Sequence, residues 1–209
     1  ADWALASGTE QLIGDPWFAP QERCGPVLAR GIPDGPDTDL DNMSKVMLGA
    51  LSAARRRVRI VSPYFLPDDE AIEALCLTAR RGVDVRVMVP SAEASDMPMV
   101  QHAAHRNFHR LLEGGVRIFE FQDCLLHQKV MTVDGVWSAI GSSNFDDRSL
   151  ETNDEITLGV RDATIARQLE NSFVQDIEHC VELDAAQWAR RGLWHRCKDG
   201  FFHAFNELL

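Results

Sequence analysis

The sequence has few cysteines, a single tyrosine, no excess of basic charge and no long hydrophobic run. Each shortage excludes something. The five cysteines (Cys24, Cys76, Cys124, Cys180 and Cys197) are odd in number, widely scattered and never spaced as C-x-x-C. That excludes a zinc ribbon, argues against a disulfide framework and points to a reducing compartment. Lys plus Arg number 21 against 32 Asp plus Glu, a net charge of −11. The chain therefore lacks the clustered basic charge that grips a nucleic-acid backbone. No apolar run approaches the ~18 residues of a membrane-spanning helix, and the start has no basic stretch leading into an apolar one. Ala1 stands where an initiator methionine would, so a piece of a longer protein is expected. What is present is ordinary globular composition, 45% hydrophobic and 25% charged over 209 residues, enough for an ample core without staples.

Residues 1–25 carry Gly14, Pro16, Pro20 and Gly25 and read as an extended lead-in. A short apolar run at 27–29 is stopped by Pro33-Asp34-Gly35-Pro36. Met43, Val46, Met47, Ala50, Leu51 and Ala54 recur at helical spacing and predict a helix over about 40–56. Then follow a strand at 58–61, a helix capped by Asp68 or Asp69 and ended by Gly82, and an alternating strand at 83–89. A helix over 98–113 closes at Gly114-Gly115, before a strand at 116–121. Such alternation favours a parallel sheet covered on both faces. The rhythm then changes: apolar runs at 125–133 and 136–140 flank Asp134-Gly135, a strong hairpin signal. A strand at 155–160, a helix over 163–181 and an aromatic-rich end complete the chain. The expected fold is α/β, a mixed and mostly parallel sheet flanked by helices on both faces. It occupies residues 26–185, with 186–209 as an aromatic and basic tail.

The densest cluster of reactive side chains is His127-Gln128-Lys129, Asp134 and Gly141-Ser142-Ser143-Asn144. On a strand over 125–133, His127 and Lys129 would project from one face. Imidazole beside ammonium suits an anionic substrate, with lysine supplying charge and neutral imidazole able to attack an electrophile. The Ser142 hydroxyl and the Asn144 amide, in a turn after the hairpin's second strand, can donate to phosphate oxygens. An isolated His-x-Lys is most often a core histidine beside a surface lysine; the downstream spacing reverses those odds.

That spacing, H-x-K-x4-D-x6-G-S-x-N, is met at every fixed position from His127 to Asn144. It resembles the signature of the phospholipase D superfamily. Four further stretches resemble bacterial cardiolipin synthases: Ser62-Pro63-Tyr64-Phe65-Leu66-Pro67-Asp68, Arg81-Gly82-Val83-Asp84-Val85-Arg86, Gly114-Gly115-Val116-Arg117-Ile118, and Asp146-Asp147-Arg148-Ser149-Leu150 with Asn153 and Glu155. Two positions depart from the pattern: Gln128 replaces a small residue, and Asp154 stands where an aromatic is common. The resemblance implies that His127 attacks phosphorus and forms a phosphohistidine, that Lys129 and Asn144 hold the phosphoryl oxygens, and that Glu155 orients the histidine. Asp134 and Gly141 belong to the signature, but the place of Asp134 in an Asp-Gly turn suggests a structural role, as is expected for Gly141; the family chemistry implies no cofactor or metal. Tyr64, at a strand end, joins Ser142 as a candidate substrate contact.

Family members carry two copies of the signature, and this chain has one. The resemblance therefore implies an upstream half, an expectation that Asp2-Trp3-Ala4-Leu5-Ala6-Ser7-Gly8 supports by likeness to the stretch after the first copy. Homodimerisation is the alternative. The implied activity is phosphatidyl transfer between phospholipids, with hydrolytic phospholipase D and, less favoured by net charge −11, an endonuclease as alternatives. No nucleic-acid partner is expected. Trp188, Trp194, Phe201, Phe202 and Phe205, interleaved with Arg190, Arg191, Arg196 and Lys198, suit an anionic bilayer or the domain's own helices. A peripheral place on the cytoplasmic side of a bacterial inner membrane follows from the resemblance. His102, His105 and His109 share a helix face, but no carboxylate or cysteine nearby in the sequence completes a metal set; they are expected to line the cleft edge.

Overall fold

A computed structural model describes residues 7–8, 12–14, 16–22, 24–36, 39–146, 149–150 and 153–191. Asp147, Arg148 and residues 192–209 of the expected tail lie outside the described residues.

The first half follows the hydrophobic pattern closely. Helix α1 (Asn42–Ala53) buries Met43, Met47 and Leu51. Strand β2 (Arg57–Val61) leads through the short β3 (Phe65–Leu66) into α2 (Asp69–Arg80). The Asp68 carboxylate caps α2 by accepting the Ala71 N–H at 2.7 Å. Gly82, at φ 88°, turns the chain out of that helix into β4 (Asp84–Pro90). Pro98 opens α3 (Pro98–Glu113), where a missing N–H costs nothing, and the chain returns as β5 (Arg117–Phe121).

The second half contains β6 (Val130–Val133), β7 (Trp137–Gly141), the two-residue β8 (Phe145–Asp146) and β9 (Glu155–Arg161). Helix α4 (Ala163–Asp176) follows, capped by Asp162, which accepts from Thr164 and Ile165 N–H at 2.8 and 2.9 Å. Asp134 and Gly135 both take positive φ, 54° and 67°, the signature of the primed turn that matches a hairpin's twist. The predicted long helix stops at Asp176; a turn and the short β10 (Cys180–Glu182) replace its end before α5 (Ala185–Ala189).

Eight strands form one sheet in the order β1-β9-β7-β6-β2-β4-β5-β10, where β1 is Leu28–Asp34. The sheet is mixed, with helices on both faces, as the pattern predicts. Its balance differs from the expectation. Only β2–β4 and β4–β5 are parallel, and the other five junctions are antiparallel. Parallel pairs need a crossover, and only α2 and α3 supply one here. The hairpin, β9 returning beside β7, and the edge strands β1 and β10 all add antiparallel neighbours. Pro33 does not stop β1, because an edge strand tolerates a missing N–H.

Alternation along the central strands sorts the core into two layers. Ile60, Val87, Val89 and Ile118 pack with Met47, Leu75, Phe108 and Leu111 of α1, α2 and α3. Val61, Met88 and Phe121 point the other way, toward Phe173 of α4. The loops after β2 and β4 and the segment before β6 gather at one end of the sheet, outside the carboxyl ends of the parallel strands.

Candidate active site

His127 and Lys129 lie at that end. They are not on a strand: β6 starts only at Val130, opposite Val61, the last residue of β2. Beyond Val61 the Ser62 N–H bonds to Met88 on the other side, at 3.2 Å, and Pro63 has no N–H to offer. The chain before Val130 therefore has no β2 partner, while on the other side the Lys129 carbonyl still accepts the Gly141 N–H at 3.2 Å. His127 is exposed as a result.

The Tyr64 ring meets the His127 imidazole edge-on, with centroids 6.1 Å apart and planes at 84°. The Tyr64 hydroxyl donates to the Asp96 carboxylate, 3.1 Å from each oxygen. Burial first, and the Asp96 carboxylate second, push the phenol pKa up to about 12. Lys129 Nζ donates to the His127 carbonyl oxygen at 3.2 Å. Burial lowers the lysine's pKa, while the charges of Glu155, Asp96 and Asp146 work in the opposite direction. A cavity of about 20 Å³ lies under Lys129, lined in part by Ser62, Ser143 and Thr157. That is room for about one water.

Asn144 Nδ2 donates to Ser149 Oγ at 3.0 Å, and its buried Oδ1 has no hydrogen-bond partner among the described residues. Ser142 is tied to β9, its hydroxyl accepting the Ile156 N–H at 3.1 Å and its own N–H reaching the Ile156 carbonyl at 3.1 Å. The hydroxyl expected to meet a ligand thus holds a strand end. Gly141 sits where β7 and β9 touch: a Cβ there would fall 2.5 Å from Thr157 Cα and collide with the Ile156 carbonyl. Asp134 is at the far end of β6 from His127 and binds backbone N–H groups of Arg55, Arg56 and Arg57.

Glu155 accepts from Asn153 Nδ2 at 3.4 Å. No hydrogen bond or ion pair joins it to His127 among the described residues, so it does not hold the imidazole directly, as orienting the histidine would require. It opens β9, and β7 lies between β9 and β6, so two strand spacings of about 5 Å each separate the backbones. Its charge is felt at Lys129 instead. Asp96 and Asp146 join the site without having been singled out. Asp96 shares the loop after β4 with Glu93, and only that loop's place at the carboxyl end of a parallel strand signals it. The cleft-edge reading of the histidines fails for His105, whose Nε2 meets Glu120 at 3.0 Å and whose ring meets Trp188 at 5.0 Å. Trp188 of the expected tail thus packs on α3, 5.7 Å from Phe108.

Residues 47–177 match the family model described as cardiolipin synthase, PLD-like domain. The chain belongs to this family. Along its whole length this PLD-like chain is 37% identical to cardiolipin synthase A of Serratia proteamaculans and of Yersinia pestis, covering 43% of each. It therefore spans less than half the length of these relatives. Among solved structures it resembles phosphatidylserine synthase of Haemophilus influenzae, with TM-score 0.71 and 15% identity, covering 87% of this chain and 46% of that one. It also resembles Nuc of Salmonella typhimurium, a phospholipase D family member, with TM-score 0.64 and 16% identity over 76% of this chain and 99% of that one. At such identities the likeness concerns the fold. No helix among the described residues is long and apolar enough to cross a membrane.

Proposed function

We propose that the chain is one half of a phosphatidyltransferase that moves a phosphatidyl group from one phospholipid, such as phosphatidylglycerol, to the hydroxyl of another. The observation that carries this reading is the exposed His127 imidazole, met edge-on by Tyr64, with the Lys129 ammonium on the His127 backbone carbonyl, in a chain whose whole length aligns with 43% of cardiolipin synthase A. An imidazole nitrogen of His127 attacks phosphorus, and the phosphorus–oxygen bond to the leaving alcohol breaks. That alcohol takes a proton from an acid, for which the second motif's histidine is the natural source. The acceptor hydroxyl then gives its proton to that same histidine, now neutral, and its oxygen bonds to phosphorus as the bond to His127 breaks, which restores both histidines. Lys129 and Asn144 stabilise the charge that gathers on the phosphoryl oxygens in each transition state. With the Asn144 amide turned over, Oδ1 accepts from Ser149 and Nδ2 is free for a phosphoryl oxygen. The charge of Glu155 favours the protonated form of Lys129.

The partner that completes the site is an upstream segment carrying a second motif, with a second copy of this chain as the alternative. Residues 26–185 form the catalytic half, and the protein works peripherally on the cytoplasmic side of the inner membrane. The test uses phosphatidylglycerol vesicles labelled in the phosphatidyl group, presented to this chain together with an upstream half. Transfer predicts a labelled lipid with two phosphates and free glycerol. Labelled phosphatidate without the diphosphate product means hydrolysis, and a labelled product from DNA but not from lipid means a nuclease; either outcome overturns the reading.

A further inference from the structure

The catalytic reading leaves one well-formed contact without a role: the Tyr64 hydroxyl on the Asp96 carboxylate. Asp96 lies on the loop between β4 and α3, just before Met97, which borders the helix. Tyr64 lies after β2. The bond therefore ties two loops at the carboxyl ends of neighbouring parallel strands. Both carboxylate oxygens stand 3.1 Å from the hydroxyl, so the phenol is held at its far end while its ring flanks His127. An edge-to-face pair within about 7 Å prefers one mutual orientation, and fixing one ring restricts the other. His127 needs such a brace, because it sits in a segment without strand pairing. No hydrogen bond or ion pair to its ring occurs among the described residues.

We infer that Asp96 is a positioning residue, which anchors the Tyr64 ring and through it sets the plane of the His127 imidazole for attack on phosphorus. The inference rests on His127 as the nucleophile. Asp96 acts through Tyr64 and has no hydrogen bond or ion pair with His127 or Lys129 among the described residues. A small error in nucleophile placement slows a displacement steeply while leaving binding alone, so the effect belongs to the chemical step.

Asp96→Ala, Asp96→Asn, Tyr64→Phe and the double variant Asp96→Ala/Tyr64→Phe test it in this chain assembled with its second half. Asp96→Ala and Tyr64→Phe should each slow phosphohistidine formation about tenfold, with KM changed less than about twofold. Asp96→Asn, whose amide oxygen still accepts from the phenol, should recover most of that loss. The double variant should be no slower than either single one, because both remove the same bond. Additive losses, or an Asp96→Asn variant as slow as Asp96→Ala, would assign Asp96 a purely electrostatic effect on Lys129 and overturn the inference. A second readout does not depend on catalysis. In NMR spectra of this chain, the His127 ring protons should shift on Asp96→Ala and Tyr64→Phe but little on Asp96→Asn, while the other resonances show the fold intact. Ring shifts without any phosphoenzyme in the parent protein would retain the brace and reject the nucleophile; unshifted rings in folded variants would reject the brace.

Discussion

The Asp134 carboxylate accepts the backbone N–H of Arg56 at 2.8 Å, bridging the hairpin turn to the start of β2. Its oxygens also take the N–H groups of Arg55 and Arg57, each at 2.9 Å. The aspartate of the signature is thus a clasp between the central strand and the strand that follows His127, at the far end of β6 from that histidine. Asp134→Ala removes the acceptor of three donors, two of them able to turn to water. It should cost about 2 kcal/mol of stability in denaturant titration, with catalysis per folded molecule nearly unchanged.

The same clasp makes a pH prediction. Burial works to raise the Asp134 pKa, but donation from Arg57, Arg55 and Arg56 outweighs it and holds the carboxyl below its ordinary value of 3.8. A depressed carboxylate stabilises the fold at pH values above its unfolded pKa, and that stabilisation fades as pH falls through the folded value. Wild type should therefore lose stability below about pH 4 more steeply than Asp134→Asn, measured by denaturant midpoints across that range.

Gly141→Ala sets a Cβ against the Ile156 carbonyl and Thr157. Because the obstacle is backbone, relief requires β7 and β9 to part. A loss of about 1–3 kcal/mol is expected, and Ser142 and Asn144 should move with the strand end. Thermal unfolding and turnover should fall together, unlike Asp134→Ala.

Asn144→Ala should lower turnover by about 10²-fold or more, the scale for deleting one donor to developing charge. Thermal stability should fall only modestly, by about 1 kcal/mol, since the variant loses one hydrogen bond, to Ser149 Oγ, while Oδ1 is already without a partner. Steady-state kinetics beside a melting curve separates the two.

Much of this could be read in the chain alone, for physical reasons that particular residues make plain. The β2–α2–β4–α3–β5 run is legible because Asp68, Gly82, Pro98 and Gly114 punctuate clean hydrophobic periods. The Asp134-Gly135 hairpin is legible because few sequences support two successive positive φ angles. The edge strands are not. Pro33 breaks the pattern of β1, and Cys180-Val181-Glu182 lies inside an apolar period that reads equally well as helix. The start of β6 was placed too early because 125–130 is apolar enough for a strand, while the missing partner beyond Val61 is a fact about a distant segment. The site's signature residues were visible through their spacing. Asp96 is not, since a loop acid has no periodicity, nothing in the sequence separates it from Glu93, and its meaning comes only from Tyr64 across the fold.

The most direct measurement is mass spectrometry of the enzyme quenched during turnover on phospholipid, under conditions that preserve phosphohistidine. A phosphoryl-linked adduct on the peptide containing His127, absent from His127→Ala, is the predicted result. An adduct confined to a histidine of the second motif, or retained in His127→Ala at the wild-type level, would contradict the assignment of His127 as the nucleophile.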